Sequence, residues 1–184
     1  SKIMGLKAKF VEGDVEFLPY KENEFDIVLS QYGHMFAPRP AVVVKELARV
    51  LKPGGILAFS TWPKELFMGK FFKLIESFSQ PLPSEVASPV LWGDMAVIED
   101  RLKDHFNQIE FGRDTMFAPT MSPAHMLKLF EKNAGPLANL VKALANDPTK
   151  LSNLRNAALE LIENFFSNNF LRQDFLMTRC IKKV

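Results

Sequence analysis

The sequence predicts an α/β fold in which strands and helices alternate around a largely parallel sheet. Two short apolar runs, residues 27–29 and 56–59, have the length and composition of strands that are buried on both faces. Between them, residues 41–51 carry apolar side chains at helical spacing. The following Lys52-Pro53-Gly54-Gly55 ends that helix, because proline cannot continue it and glycine readily adopts a left-handed conformation. A strand, a helix and a strand in this order are typical of a βαβ unit.

The rest of the chain is predicted to add one strand before this unit, and several helices and two strands after it. Residues 8–11 are predicted to form the first strand, after a helix end at residues 2–7. Asp94 and Ser122 are good N-cap residues for two of the later helices. The predicted helices cover residues 65–79, 95–106, 123–134, 137–144 and 151–166, and the predicted strands cover residues 108–117 and 174–181.

Composition restricts the class of protein. The 184 residues suit one domain, the net charge of +2 is too small to indicate nucleic-acid binding, and no apolar run is long enough to cross a bilayer. The single cysteine, Cys180, cannot form an internal disulfide, which favours a reducing, cytoplasmic location. The three histidines lack metal-ligand spacing, so no metal site is predicted.

Three pieces of sequence, in this order and at this spacing, resemble class I S-adenosylmethionine-dependent methyltransferases. The resemblance is to the group that includes the ubiquinone and menaquinone biosynthesis enzymes. The pieces are Gly13-Asp14-Val15-Glu16-Phe17-Leu18-Pro19-Tyr20, Phe25-Asp26-Ile27-Val28 and Arg49-Val50-Leu51-Lys52-Pro53-Gly54-Gly55.

The resemblance implies a truncated, Rossmann-like methyltransferase sheet, mostly parallel, with an antiparallel last strand. Residues 1–62 would form the carboxyl-terminal part of the cofactor-binding core. Residues 63–172 would form a helical lid over the substrate together with one strand, and residues 173–184 would form the closing strand. The family's glycine-rich loop and second-strand acid have no counterpart in the sequence. Two βαβ units, about 60 residues, would precede it.

The resemblance also implies a cofactor site for S-adenosylmethionine. Asp14 would accept a hydrogen bond from the adenine amino group, and Val15 would offer its backbone N–H to the adenine ring. From the residues alone, Asp14 could equally satisfy its own turn. Ser30, Gln31 and Tyr32 follow a strand, and ligands of open α/β sheets bind outside the carboxyl ends of the strands. We therefore expect these three residues beside the cofactor.

The sequence also offers candidate residues for the acceptor site. His34 is a candidate general base, although it could also be a pocket wall or a satisfied loop residue. Phe36, Trp62, Phe67 and Phe71 are candidate substrate-binding residues in an apolar lid, although such aromatic stripes are most often core. An apolar lid favours a small apolar or aromatic acceptor.

Two functions from different classes follow from the missing segment. The first is an enzyme that transfers a methyl group to a small-molecule acceptor. The second is an inactive remnant that acts only by folding and associating with itself or a partner. Because residues 27–29 would form a strand with one bare edge, the sequence also predicts a homodimer.

Overall fold

The computed structural model describes residue 5 and residues 8–81, 83 and 86–184. The predicted helix end at residues 2–7 therefore lies outside the described residues, except for Gly5. The same holds for Leu82, Ser84 and Glu85, which fall at the predicted break after the first lid helix.

The strands form one mixed, five-stranded sheet in the order β1-β2-β5-β3, with β4 paired to β5. β1 and β2 are parallel, whereas β5 is antiparallel to each of its three partners. The α/β sheet and its antiparallel last strand are therefore confirmed. The expectation of a mostly parallel sheet is corrected, since one of the four described pairings is parallel. The strands are β1 (Phe25–Gln31), β2 (Leu51–Thr61), β3 (Phe106–Pro119), β4 (Phe166–Ser167) and β5 (Phe170–Lys182).

Six α-helices are described, and the polar residues before three of them act as caps. Asp94, Ser122 and Asp147 each accept a backbone N–H of the first turn, from Ala96, His125 and Lys150 at 3.0–3.1 Å. The helices are α1 (Pro40–Val50), α2 (Phe67–Phe78), α3 (Met95–Leu102), α4 (Pro123–Asn133), α5 (Gly135–Ala143) and α6 (Pro148–Glu163). Two short 3-10 turns, His34–Phe36 and Pro89–Gly93, lie before α1 and α3.

Three predicted elements differ from the structure. The helix expected at residues 151–166 spans Pro148–Glu163, and Phe166 belongs to β4. The helix expected at residues 95–106 ends at Leu102, and Phe106 instead begins β3 as a buried residue. The strand expected at residues 8–11 is irregular and exposed. A strand needs a hydrogen-bonding neighbour, and β1 pairs only with β2 in the described part of the chain.

The two faces of the sheet differ in burial. On one face, the cross-strand partners Leu57 and Cys180 are buried, as are Phe59 and Thr178. On the other face, Ile27 is 55% exposed and Leu29 is 74% exposed. The expectation of a strand buried on both faces is therefore wrong for β1. Its alternate side chains point to a face that the described helices leave open.

Candidate functional site

The segment Gly13–Tyr20, the first piece of the predicted methyltransferase motif, is fastened to the start of α1. The buried carboxylate of Glu16 accepts hydrogen bonds from the Arg39 backbone N–H at 2.7 Å and from the Arg39 Nε at 2.8 Å. The Arg39 Nη2 also donates to the same carboxylate. Nε and Nη2 of Arg39 donate to the same oxygen, Glu16 Oε2, and such charge-assisted hydrogen bonds are stronger than neutral ones. Glu16 therefore fixes this segment relative to the start of α1.

A second pair on α1 holds the far end of the same segment. The Leu18 N–H donates to Glu46 Oε2 at 3.0 Å, and Arg49 donates to the Leu18 and Tyr20 carbonyls at 3.0 and 2.8 Å. The hydrogen bond from Arg49 to Glu46 also lowers the pKa of that carboxyl. Sequence reasoning assigned no role to these four charged residues. Arg49 belongs to the third piece of the motif, but the two carbonyls to which it donates lie 29 and 31 residues earlier in the chain.

Asp14 sits in a tight turn at the start of this segment. Its Oδ1 accepts the Glu16 N–H at 2.9 Å, and its carbonyl accepts the Phe17 N–H at 3.0 Å. The turn brings Gly13 so close to Pro19 that a Cβ on Gly13 would lie 2.9 Å from the proline ring. The Asp14 side chain thus satisfies its own turn with one oxygen. A carboxylate has further lone pairs, so a ligand amine can still be accepted.

Val15 and Ser30 line the same cavity, of about 300 Å³, along the open edge of β1. We call it the edge cavity. Its remaining walls are mostly apolar and come from β1, α1 and the Gly13–Tyr20 segment: Leu18, Tyr20, Phe25, Ile27, Val28, Leu29, Leu47 and Val50. Flat apolar walls next to the Val15 backbone suit the face of a purine ring.

A second cavity, the carboxyl-end groove, adjoins the first at Leu29 and Ser30. It has a volume of about 590 Å³, and Gln31, Tyr32 and Ser60 contribute its polar groups at the carboxyl ends of β1 and β2. Its floor is apolar and includes Phe175 and Met177 of β5. Four of the five predicted cofactor residues therefore line two adjoining cavities. Asp14 lines neither, but it directly precedes Val15.

Tyr32 and Trp62 form a flat aromatic wall at this edge of the sheet. Their rings stack with centroids 4.0 Å apart and planes within 5° of parallel. Tyr32 adopts a positive φ of 59°, and its N–H donates to the Ser60 carbonyl at 3.2 Å. Burial raises the pKa of the Tyr32 phenol. Trp62 is itself buried, so its indole supports Tyr32 from beneath.

His34 is a core residue that holds the turn after β1. Its side chain is 2% exposed, and its ring lies edge-on to Phe59 and Trp92, with centroids 4.6 Å away in each case. Ser30 Oγ lies 2.9 Å from His34 Nδ1 and accepts the His34 backbone N–H at 3.2 Å. Burial, reinforced by the nearby Arg101 cation, lowers the pKa of His34 to about 4. The imidazole is therefore neutral at pH 7.

The candidate acceptor residues divide into core and surface. Phe67 and Phe71 are 0% and 1% exposed, and they pack with Phe130 of α4 and Phe165 behind α6 at centroid distances of 5.0–6.1 Å. Phe36 is 47% exposed, and its ring meets Phe72 edge-on at 5.6 Å. Phe36 is thus the accessible member of the set.

The described residues contain neither a metal site nor a membrane-spanning helix. Within the described ranges, no group of three or more His, Cys, Asp or Glu side chains could hold a metal ion. None of the helices described is long and apolar enough to cross a membrane.

Comparison with known proteins finds similarity to methyltransferases. Residues 2–59 match the family model for a methyltransferase domain. Among solved structures, the YcgJ protein of Bacillus subtilis has a TM-score of 0.55 at 18% identity, over 100% of this chain and 74% of that one. A SAM-dependent methyltransferase of Thermotoga maritima has a TM-score of 0.52 at 18% identity, over 94% and 63% of the two chains.

Sequence relatives agree with this result. An uncharacterised protein of Mycobacterium tuberculosis is 29% identical over 174 residues, which are 94% of this chain and 64% of that protein. A probable phthiotriol/phenolphthiotriol dimycocerosates methyltransferase of Mycobacterium ulcerans is 43% identical over 51 residues, 28% of this chain and 20% of that one. The chain thus spans less than two thirds of the length of the mycobacterial relative.

Residues 2–59 thus match a methyltransferase domain, which agrees with the resemblance to class I S-adenosylmethionine-dependent methyltransferases drawn from the three pieces of sequence. S-adenosylmethionine is the cofactor of that class. The fold agrees, since the two solved structures share it over nearly all of the chain.

Proposed function

We propose that the domain to which this chain belongs transfers the methyl group of S-adenosylmethionine to a small apolar or aromatic acceptor. One observation carries the proposal: Val15 and Ser30 line one cavity, and Ser30 also lines the adjoining groove with Gln31 and Tyr32. A purine and the sulfonium group attached to its ribose would need two adjoining spaces of this kind.

In this proposal each residue has a separate binding role. The Asp14 carboxylate accepts the adenine amino group, the Val15 N–H donates to the ring, and Ser30, Gln31 and Tyr32 face the sulfonium end. The cofactor supplies an electrophilic methyl group. The protein's contribution is to hold an acceptor in line with that group, which needs no strong base.

The acceptor would lie against the Tyr32–Trp62 wall and the exposed ring of Phe36. Phe67 and Phe71 would shape the lid helix α2 from inside, because both rings are enclosed by other aromatic side chains. The neutral, enclosed imidazole of His34 supports a positioning role through Ser30 and gives no support to proton transfer.

The adenine assignment is tested by a nuclear magnetic resonance titration of the 184-residue chain with S-adenosylhomocysteine. We expect amide shifts centred on Val15 and Ser30, with a dissociation constant weaker than about 1 mM because only the adenine side of the site is present. Asp14→Ala should remove a hydrogen bond worth about 1–3 kcal/mol and abolish the shift at Val15.

Asp26→Ala is the matched control, since Asp26 is an exposed carboxylate on β1 whose ion-pair partner among the described residues is Lys52. It should leave the titration unchanged. Unaltered binding by Asp14→Ala, or micromolar binding by the native chain, would contradict the assignment.

A second candidate function is that of an inactive, self-associating remnant. It is favoured by the open face and open edge of β1, where Ile27 and Leu29 are exposed although both are apolar. In this proposal a second copy of the chain covers that surface as a homodimer. The buried Cys180, whose thiol pKa is raised to about 12 by burial, is consistent with a reducing, cytoplasmic location for either function.

A further inference from the structure

A separate pocket of about 390 Å³ lies between the turn after β1, the second half of α2 and the start of α5. We call it the helical pocket. This volume falls within the range of small-molecule sites. The residues that line it are Phe36, Phe72, Ile75, Glu76, Ser79, Gln80, Pro81, Pro89 and Pro136.

Most of the wall of the helical pocket is apolar and stiff. Phe36 and Phe72 meet edge-on, Ile75 lies beside them on α2, and three prolines from three different segments close the sides. Proline has a fixed φ and no N–H to donate. A ligand in this pocket therefore contacts a rigid apolar surface that offers few hydrogen-bond donors.

Among the described residues of this wall, Glu76 is the acidic one. It is half-buried on α2, and the Ser88 hydroxyl donates to its Oε1. A carboxylate can accept several more hydrogen bonds. The described lining includes no Lys, Arg or His, and Glu76 forms none of the ion pairs described.

A carboxylate in apolar surroundings loses hydration that a cation can replace. An ammonium group is the complementary ligand, because it carries the opposite charge and only donates. An anionic ligand would be repelled. A neutral apolar ligand would gain nothing from Glu76.

We propose that the helical pocket binds an apolar amine, with its hydrocarbon body against Phe36, Phe72 and Ile75 and its ammonium group at the Glu76 carboxylate. Where this amine is the methyl acceptor, the inference rests on the proposed function. The binding itself needs neither the cofactor nor turnover.

The test compares two probes of nearly equal shape, 4-phenylbutylamine and the neutral 4-phenylbutan-1-ol, by nuclear magnetic resonance titration of the native chain without cofactor. We expect the amine to bind about 10-fold more tightly than the alcohol. Both should shift the amides of Phe36, Phe72 and Ile75. Glu76→Gln should reduce the preference for the amine to less than about 3-fold while keeping alcohol binding.

Two further variants make the test specific. Phe36→Trp changes an exposed side chain at the pocket and should weaken both probes about 10-fold by filling space. Glu99→Gln, at an exposed position on α3, should change neither. Equal affinity of the native chain for the two probes, or an unchanged preference in Glu76→Gln, would overturn the proposal. Amine binding without any S-adenosylhomocysteine binding would leave it intact and count only against the cofactor assignment.

Discussion

At the scale of single residues, His34 shows how burial changes the role that a sequence pattern indicates. A histidine on a loop at the carboxyl end of a strand is a natural candidate for proton transfer. Here the loop folds inward, and the ring lies between Phe59 and Trp92. Its Nε2 is buried and has no hydrogen-bond partner among the described side chains. Its partner Ser30, by contrast, lines both the edge cavity and the carboxyl-end groove.

The lowered pKa of His34 predicts a pH dependence of stability. Between pH 6.5 and about 4 the unfolded chain binds a proton at this residue and the folded chain does not. The free energy of unfolding should therefore fall as the pH drops through this range, by up to about 3 kcal/mol from His34 alone. Urea unfolding of the native chain and of His34→Asn at pH 4, 5, 6 and 7 measures this.

The His34→Asn variant lacks the titrating group, so its curve should be flatter across the same range. The difference between the two curves isolates His34 from the carboxylates, which titrate in both proteins. Parallel curves would show that His34 titrates normally in the folded chain.

At the scale of elements, α2 has two faces that the sequence alone does not separate. Its aromatic side chains recur at helical spacing, which predicts an apolar stripe and is confirmed by the buried Phe67, Phe71 and Phe72. Whether a given ring meets core or ligand depends on α4, α5 and the turn after β1. These partners are distant along the chain.

Two matched truncations separate the enclosed and the accessible rings. Phe67→Ala should lower the free energy of unfolding by about 3–5 kcal/mol, because it leaves a cavity among Phe71, Phe130 and Phe165. Phe36→Ala should cost less than half as much, because the ring is already 47% exposed. Denaturant unfolding of both variants measures the two losses in the free energy of unfolding. Equal losses would mean that Phe36 is as enclosed as Phe67.

The difference between local signals and contacts between distant segments explains how much could be predicted from the sequence. Elements with local end signals, such as the caps Asp94 and Ser122, were predicted close to their observed starts. The candidates Asp14 and Val15 for the cofactor site came from motif resemblance, and the other candidates came from the position of the strand end at residues 30–32. The Glu16–Arg39 pair and the helical pocket were not found, because each depends on contacts between distant segments. The exposure of β1 was missed because its apolar run has the same pattern as a strand covered on both faces.

At the scale of the whole molecule, the main feature is a sheet with one covered face and one open face. Exposed Ile27, Leu29, Met116 and Met177 lie on three strands. None of the described strands pairs with the second edge of β1, so backbone groups of that edge lie beside these side chains. An apolar strand edge of this kind favours pairing with another strand.

We expect the isolated chain to associate through this surface. Size exclusion with light scattering should show a dimer at high protein concentration, and Leu29→Lys should shift it to monomer because a charge would then be buried in the contact. Met121→Lys is the control, at an exposed apolar position outside the strands. A native chain that stays monomeric at high concentration would exclude the proposed homodimer, as would a dimer unaffected by Leu29→Lys.

The position of β5 has a consequence for the order of folding during synthesis. β5 lies between β2 and β3 and supplies the hydrogen bonds that join them, with Leu57 paired to Cys180 and Phe111 paired to Thr178. A ribosome makes β5 after all the other described strands, so the centre of the sheet stays vacant until β5 has been synthesised. Such long-range pairing is slow to form. During that interval the nascent chain exposes two strand edges at once, and it should depend on chaperones more than the finished protein does.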